Sequence, residues 1–379
     1  MRFKATCPHC LEEIPLFIGL YRCHEHCSVH KLAPDPLLVA RWNSSKPVYQ
    51  TFTAPGVSPR IPFFGKSISH AQCPESGVKV IDRVCPKCGQ SLYAMIGHGM
   101  EPRLTLVGAK DSGKSTYIGV LVREMTERFS GQFHLEFRPV IGTAQEYNER
   151  YENRIFNNKL LPESTPRASK ADPIPPLVYV VKSNDSSRAT ITLFDPPGEV
   201  KDHEIILYYQ FLYRSHGIVL LVDGEGIADG RVSEAINNAS DWLSMVVNQL
   251  EAHSTPLVRK KKPFIAIAIS KFDLLKGHPD IHRAVWDDRP AIPEWDDQAY
   301  RFVSNEIEGF LRSNGGSNLC NMAEINFGAD HVGYFAVSQI GFAPTAENKL
   351  SKAPEPFLVA DPFLWLLAKH RIVPTRVED

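Results

Sequence analysis

The chain has 379 residues, 43% of them hydrophobic and 22% charged, and its 42 Lys and Arg nearly balance its 43 Asp and Glu. This ordinary globular composition is long enough for one large α/β domain and a small second module, and its net charge of −1 indicates no polyanionic partner. No run of about 18 apolar residues is present, and the N-terminal residues lack a hydrophobic stretch suited to a signal peptide. We therefore expect a cytoplasmic protein with no membrane partner.

Seven of the eight cysteines lie before residue 89, at short spacings that favour metal binding over disulfides in a cytoplasmic chain. The pairs Cys7–Cys10 and Cys85–Cys88 have the C-P-x-C spacing of zinc knuckles, in which a turn brings two thiolates to one tetrahedral ion at about 2.3 Å. Closed sites of this kind are structural. The predicted thiolate ligands are Cys7, Cys10, Cys23, Cys27, Cys73, Cys85 and Cys88.

The division of these ligands between two Zn²⁺ ions is open. An assignment in chain order gives one ion Cys7, Cys10, Cys23 and Cys27, and gives the other Cys73, Cys85, Cys88 and His70, the nearest histidine. A crossed arrangement, in which the two C-P-x-C pairs share an ion, is also possible, and His24, His26 or His30 could replace a thiolate. Residues 1–100 are thus predicted to form a zinc-ribbon module, in which residues 32–64 make a long insertion on the surface.

A phosphate-binding loop is indicated by GAKDSGKS at residues 108–115, which follows the apolar run 103–107 and precedes a helical pattern at 116–124. In this strand, loop and helix, glycines turn N–H groups toward phosphates, Lys114 reaches the β- and γ-phosphates, and the Ser115 hydroxyl can ligate Mg²⁺. The predicted phosphate-binding residues are Gly108, Asp111, Ser112, Gly113, Lys114, Ser115 and Thr116.

A second apolar run, 189–194, ends in Asp195-Pro-Pro-Gly198-Glu199 about 80 residues after the loop. An aspartate at the end of a buried strand supplies a carboxylate to the Mg²⁺ shell, and a glycine three residues later presents an N–H group to the γ-phosphate. We therefore predict Asp195 as a magnesium ligand and Gly198 as a nucleotide contact.

A third buried run, 264–269, is followed directly by Ser270-Lys271-Phe272-Asp273. A carboxylate at the fourth position accepts from N1–H and the 2-amino group of guanine, whereas adenine offers no such donor pair. Asp273 therefore argues for GTP over ATP, while Lys271 covers the base. After the strand-like residues 333–337, Ser338 and Gln339 lie where a loop normally backs the guanine.

In chain order, GAKDSGKS, DPPGE, SKFD and AVSQIG resemble the four diagnostic motifs of Ras-like, TRAFAC-class GTPases over about residues 101–345. With zinc knuckles in front, the chain resembles bacterial double-GTPase-type proteins of prokaryotic conflict systems. It departs from that pattern in having a single Cys73 where a full knuckle is expected, and in Ser270 where Asn or Thr is usual. The resemblance implies an α/β P-loop GTPase at residues 101–379, with a mostly parallel, doubly wound sheet, after the zinc-ribbon module.

The resemblance also implies catalytic roles for Lys114, for Glu199 in place of a water-orienting glutamine, and for a switch I threonine. We choose Thr165 in a long insertion near residues 130–175, with Thr143 as the alternative. The expected function is a Mg²⁺-dependent GTP/GDP switch that hydrolyses GTP slowly and signals to a protein partner, with a homodimer as one option. Two alternatives are a nucleotide-binding zinc scaffold without turnover and a nucleotide-regulated RNA-binding protein, the latter resting only on the charge of +5 at residues 1–100.

Overall fold

The computed structural model describes residues 4–55, 70–92, 96, 101–140, 142–163, 176–183, 188–195, 206–253, 262–287 and 292–376. Its N-terminal part consists of short strands in four small antiparallel sheets, and the largest of these has the order β10-β9-β3-β6. The strands are β1 (Lys4–Thr6), β2 (Glu13–Pro15), β3 (Ile18–Arg22), β4 (Leu32–Pro34), β5 (Pro47–Tyr49), β6 (Thr51–Pro55), β7 (Ala71–Gln72), β8 (Lys79–Val80), β9 (Arg83–Val84) and β10 (Ser91–Leu92). Helix α1 spans Pro36–Trp42.

Residues 32–64 were predicted to form an insertion on the surface, and the structure describes this segment up to residue 55. Within it, α1 packs into the small core, so the prediction is corrected there. Asp35 caps the helix by accepting from Leu37 N at 2.9 Å. On its inner side, Leu38 and Trp42 join the buried cluster that contains the first and last cysteine pairs. Trp42 Nε1 also donates to the carbonyl oxygen of Cys88 at 2.9 Å. The segment therefore contributes to the small core, although its sequence shows little periodicity.

A seven-stranded sheet forms the centre of the larger part, in the order β12-β13-β14-β11-β15-β16-β17. Strands β14, β11, β15, β16 and β17 are mutually parallel, while β12 and β13 extend one edge in antiparallel fashion. This confirms the mostly parallel sheet predicted from the sequence. The strands are β11 (Arg103–Gly108), β12 (Leu135–Pro139), β13 (Leu177–Ser183), β14 (Arg188–Phe194), β15 (Gly217–Asp223), β16 (Phe264–Ser270) and β17 (Val332–Ala336).

Both faces of this sheet are covered by helices. Successive residues of each central strand point to opposite sides, and because these residues are apolar, both faces must be buried. In β15, Ile218 and Leu220 belong to one buried cluster, and Val219 and Leu221 to the other. The helices are α2 (Lys114–Glu124), α3 (Ser130–Gln132), α4 (Thr143–Tyr147), α5 (Ile206–Arg214), α6 (Gly224–Ala228), α7 (Val232–Ala252), α8 (Asp297–Leu311), α9 (Ser317–Phe327) and α10 (Asp361–Lys369). Among the described residues, no helix is long and apolar enough to cross a membrane.

The predicted insertion near residues 130–175 has its own regular structure up to residue 163. It contains the edge strand β12, helix α4 and, continuing α4, a helix of wider π-type turns at Asn148–Asn157. Gly119 of α2 makes the close packing of this helix possible, because a Cβ there would lie 2.5 Å from Ile155 Cδ1 and 3.1 Å from Tyr151 Cβ. The insertion thus lies directly against α2.

The N-terminal part docks on the larger part through Leu11, which follows the Cys7–Cys10 pair. Leu11 is fully buried in the cluster that contains Phe211 and Leu212 of α5. Its carbonyl oxygen accepts from Arg214 Nη1 at the end of the same helix. The zinc-knuckle turn and the helix that follows the DPPGE segment are therefore in direct contact.

Candidate functional site

The carboxyl ends of the parallel strands meet at one edge of the sheet, where a cleft of about 1460 Å³ lies. The phosphate-binding loop follows β11, Asp195 follows β14, and Lys271 follows β16. The cleft is lined by residues of the loop, by Asp273 and by Gln339. The structure thus brings GAKDSGKS, SKFD and AVSQIG together at one cleft. It also places Asp195, from the DPPGE motif, beside the phosphate-binding loop.

The conformation of the loop explains its glycines. Gly108 has φ +151°, and a Cβ there would lie 2.9 Å from both Leu221 O and Ser112 Oγ, while Gly113 has φ +81°. Lys114 folds back so that its Nζ donates to Gly108 O at 2.8 Å and to Ala109 O at 2.6 Å. Burial lowers the pKa of Lys114 to about 8, against the opposing charges of Asp195 and Asp111. A bound phosphate would favour the charged ammonium group.

Ser115 and Asp195 provide a pair of oxygen ligands at the start of α2. The Ser115 hydroxyl donates to Asp195 Oδ2 at 2.9 Å, and Asp195 is nearly fully buried. Hydroxyl and carboxylate oxygens are the ligands that Mg²⁺ prefers, so this pair fits the ion that the sequence predicted. Tyr151 and Arg150 also donate to Asp195 Oδ2, at 2.9 and 3.4 Å. No sequence motif pointed to these two residues, because they belong to the insertion.

At the other end of the cleft, Asp273 is held by the loop after β17. Its Oδ1 accepts from Ser338 Oγ at 2.5 Å, and Gln339 Oε1 accepts from Lys271 N at 3.3 Å. The Lys271 ammonium group lies 3.2 Å from Asp223 Oδ1 and also pairs with Glu225. Although burial opposes the charged form, these two carboxylates raise the pKa of Lys271.

Ser270 is fully buried, and its hydroxyl donates to Val222 O at 3.0 Å, so it ties β16 to β15 in this structure. Thr116, a predicted nucleotide contact, lines the cleft. Thr143, the alternative switch I threonine, is buried, and its Oγ1 accepts a hydrogen bond from Val178 N of β13 at 3.1 Å. Its hydroxyl is therefore already engaged by the sheet. Three further predicted residues lie outside the described ranges: Thr165, Gly198 and Glu199.

The seven N-terminal cysteines and one histidine form two buried groups, and within each group the ligand atoms lie within 4.8 Å of one another. The crossed arrangement is the one observed, and the assignment in chain order is wrong. Chain order does not decide the matter, because the tetrahedral geometry is met by two turns that face each other in space. The groups are Cys7, Cys10, Cys85 and Cys88, and Cys23, Cys27, His30 and Cys73.

His30, and not the exposed His70, completes the second group. Its Nδ1 lies 3.2 Å from Cys23 Sγ and 3.5 Å from the sulfurs of Cys27 and Cys73. The spacing Cys27-x-x-His30 was a sequence signal for this ligand, comparable with the C-x-x-C pairs. The first group offers four thiolates, and the second offers three thiolates and one imidazole; both are ligand sets of closed zinc sites.

The single Cys73 belongs to a complete knuckle turn in which serine replaces the second cysteine. Gly77 N donates to Cys73 O at 2.8 Å, just as Gly89 N donates to Cys85 O at 2.9 Å. Ser76 stands where the second cysteine would be, and its hydroxyl lies 3.2 Å from Cys27 Sγ. The sequence C-P-E-S-G, read beside C-P-K-C-G, carried this signal.

A phosphate loop with an oxygen pair at its helix, on a doubly wound parallel sheet, is the arrangement of the P-loop nucleoside triphosphatases, the class that includes the P-loop GTPases. Residues 103–306 match the family Double-GTPase 2, and the chain belongs to that family. It is also similar to a putative ESX-1 scaffolding and assembly protein, SaeC, of Mycolicibacterium smegmatis. The two are 24% identical over 345 residues, which cover 84% of this chain and 86% of that protein. The family and class agree with the resemblance seen in the four motifs.

We predict that the purified chain carries two Zn²⁺ ions, and that Cys88→Ala and His30→Ala each lower this number to one. Each substitution removes one of four ligands, and structural zinc contributes directly to folding free energy. Elemental analysis after exhaustive dialysis measures the zinc content. The matched control, His70→Ala, should retain two ions. A loss of zinc in His70→Ala, or full retention in His30→Ala, would contradict the second site.

Proposed function

We propose that the chain binds GTP and GDP with Mg²⁺, hydrolyses GTP slowly, and acts as a switch that signals to a protein partner. The observation that carries this proposal is the arrangement of one cleft, with Lys114 at one end and Asp273 at the other. Membership of the Double-GTPase 2 family supports it.

In this proposal each end of the cleft has one task. Lys114 would turn from the loop carbonyls to the phosphates, and Ser115 and Asp195 would hold Mg²⁺, which offsets the phosphate charge. Asp273 would accept from N1–H and the 2-amino group of guanine, with its position fixed by Ser338. Polar groups placed for one base reject another strongly, because the wrong base leaves them unpaired.

Slow turnover follows from Glu199, which succeeds Gly198 where many relatives of this fold place a glutamine. A carboxylate can accept a hydrogen bond from the attacking water, but its negative charge opposes the approach to the γ-phosphate. We propose that a protein partner or a second copy of the chain supplies a positive charge there. Thr165 remains our choice for the switch I threonine.

The zinc module is suited to respond to the nucleotide state, because Leu11 contacts α5, the helix that begins at residue 206, beyond the DPPGE segment. Leu11 has φ +61°, at the turn position where the other two knuckles have Gly77 and Gly89 with φ +70° and +73°. A left-handed leucine costs about 1–2 kcal/mol, which glycine would avoid. Burial of the side chain against Phe211 offsets this cost, and so the residue serves the contact between the two parts.

A second candidate function is a zinc-stabilised scaffold that binds nucleotide without turnover, and the description of the M. smegmatis relative as a putative scaffolding and assembly protein favours it. Both that description and the resemblance to conflict-system proteins point to a protein partner. Phosphate release separates the two functions, since the scaffold would release none.

The first test of this function concerns the base. We expect GDP and GTP to bind at least about tenfold more tightly than ADP and ATP, because Asp273 loses its donor pair with adenine. Asp273→Asn should weaken guanine binding and favour xanthine, whose 2-oxo group suits an amide donor. Isothermal titration with the four nucleotides and with XDP measures this. Equal affinity of the natural protein for ATP and GTP would contradict the assignment.

Single-turnover hydrolysis tests the enzyme. The rate should be on the order of 10⁻⁴ to 10⁻² s⁻¹, as for GTPases without a supplied arginine. Glu199→Ala should hydrolyse more slowly while still binding GTP, and Lys114→Ala should lose GTP binding and serve as the background control. If Glu199→Ala is as fast as the natural protein, the better candidate is His203, four residues further along the chain, or a residue of a partner. No release above the Lys114→Ala background would support the scaffold.

The contact at Leu11 can be tested by Leu11→Gly, which removes the buried side chain and relieves the backbone strain. We expect both zinc ions to be retained, because the ligands are unchanged. Hydrogen exchange of residues 4–22 should differ between the GDP and GTPγS forms of the natural protein, and this difference should disappear in Leu11→Gly. Val39→Ala, at an exposed position of α1, is the control and should keep the difference. Persistence of the difference in Leu11→Gly would contradict the coupling.

A further inference from the structure

The carboxylate of Asp195 is held by two residues that lie outside all four nucleotide-binding motifs. Tyr151 OH donates to Asp195 Oδ2 at 2.9 Å and Arg150 Nη2 lies 3.4 Å from it, on the side of the insertion. Ser115 donates to the same oxygen at 2.9 Å from α2. Three donors from two elements therefore converge on one carboxylate oxygen at the predicted magnesium position.

The Tyr151 hydroxyl is delivered by a closely packed helix. Tyr151 is 1% exposed, and Gly119 of α2 lacks the Cβ that would lie 3.1 Å from Tyr151 Cβ. The preceding turn is also anchored on α2, since Tyr147 OH donates to Gly119 O at 2.9 Å. Because α2 begins with Lys114 and Ser115, the helix of the insertion is fixed to the element that positions the phosphate loop.

The far end of the insertion is tied to the base end of the cleft. Leu161 N donates to Asn348 O at 2.9 Å, and Leu350 N donates to Lys159 O at 2.8 Å. Residues 345–348 line the cleft beyond Gln339. Both ends of the helix that carries Tyr151 are therefore restrained.

The chemistry at Asp195 suits a permanent donor. A tyrosine hydroxyl carries its proton at neutral pH, and in this structure it donates that proton to Asp195 Oδ2. The Arg150 guanidinium group stacks over the Tyr151 ring, 4.9 Å from its centroid, and adds a positive charge beside the carboxylate. A buried carboxylate with such donors has a fixed orientation, whereas one that loses them is free to turn.

We propose that Tyr151, assisted by Arg150, is a positioning residue. It holds Asp195 in the orientation in which Asp195 and Ser115 would bind Mg²⁺. This inference rests on the proposed nucleotide function. It assigns to the insertion a part in metal-dependent retention of the nucleotide. The phosphate loop and Asp273 bind the nucleotide itself, and so the contribution of Tyr151 should be limited to the Mg²⁺-dependent part of the affinity.

The test measures release of methylanthraniloyl-GDP at Mg²⁺ concentrations from micromolar to millimolar and in EDTA. For Tyr151→Phe, we expect the Mg²⁺ concentration that gives half-maximal slowing of release to rise about tenfold, as for the loss of one hydrogen bond to a charged group. In EDTA, Tyr151→Phe should release the nucleotide as fast as the natural protein does. A general loosening of the cleft would instead speed release in EDTA as well. Arg150→Met, at a partly exposed side chain, should shift the same concentration about two- to threefold and covers the case in which Tyr151→Phe fails to fold.

The matched control is Tyr334→Phe in β17, on the opposite face of the sheet from Tyr151, which removes a tyrosine hydroxyl that donates to the Glu324 carboxylate at 3.2 Å. It should leave the Mg²⁺ dependence unchanged. An unchanged Mg²⁺ dependence in Tyr151→Phe, or equal shifts in both phenylalanine variants, would overturn the positioning role while leaving nucleotide binding intact. A natural protein that binds no methylanthraniloyl-GDP would overturn the proposed function as well, so the two failures are distinguishable.

Discussion

In the central sheet, β11 pairs in parallel with β14 on one side and with β15 on the other. This pairing puts the carboxyl ends of the three strands at one edge, where the phosphate loop, Asp195 and Asp223 then lie side by side. The remaining parallel strands bring Lys271 and the loop after β17 to the same edge. The cleft is a consequence of strand direction, because antiparallel pairing would send alternate motifs to opposite ends of the sheet.

The N-terminal part shows how one turn can serve two purposes. Three knuckle turns place a residue in the left-handed region, and two of them use glycine, the residue that adopts this conformation without strain. The first turn uses Leu11, whose side chain is buried against α5. The cysteine turn thus also positions the residue that contacts the larger part. Arg22 links the two cysteine groups in a similar way, since it precedes Cys23 and donates to Gly89 O.

The insertion that follows α2 contributes side chains to the site. Its helix meets α2 at Gly119, reaches Asp195 through Tyr151, and joins the chain beyond β17 by main-chain hydrogen bonds at residues 159–161. The chain therefore has a continuous set of packed contacts between Asp195 at one end of the cleft and residues 345–348 at the other.

The sequence by itself determined the parallel sheet, the phosphate loop and the place of Asp273 at the strand end that lines the cleft, because each depends on local patterns: apolar runs, glycines and a carboxylate directly after a strand. It also determined that the cysteines come in pairs able to hold a metal ion, since their spacing is local too. Only the tertiary structure decided that the two C-P-x-C pairs face each other, that His30 and not His70 lies beside Cys73, and that Tyr151 reaches Asp195. These contacts join residues 43 to 81 positions apart, and their partners are selected by the way turns and helices pack in space.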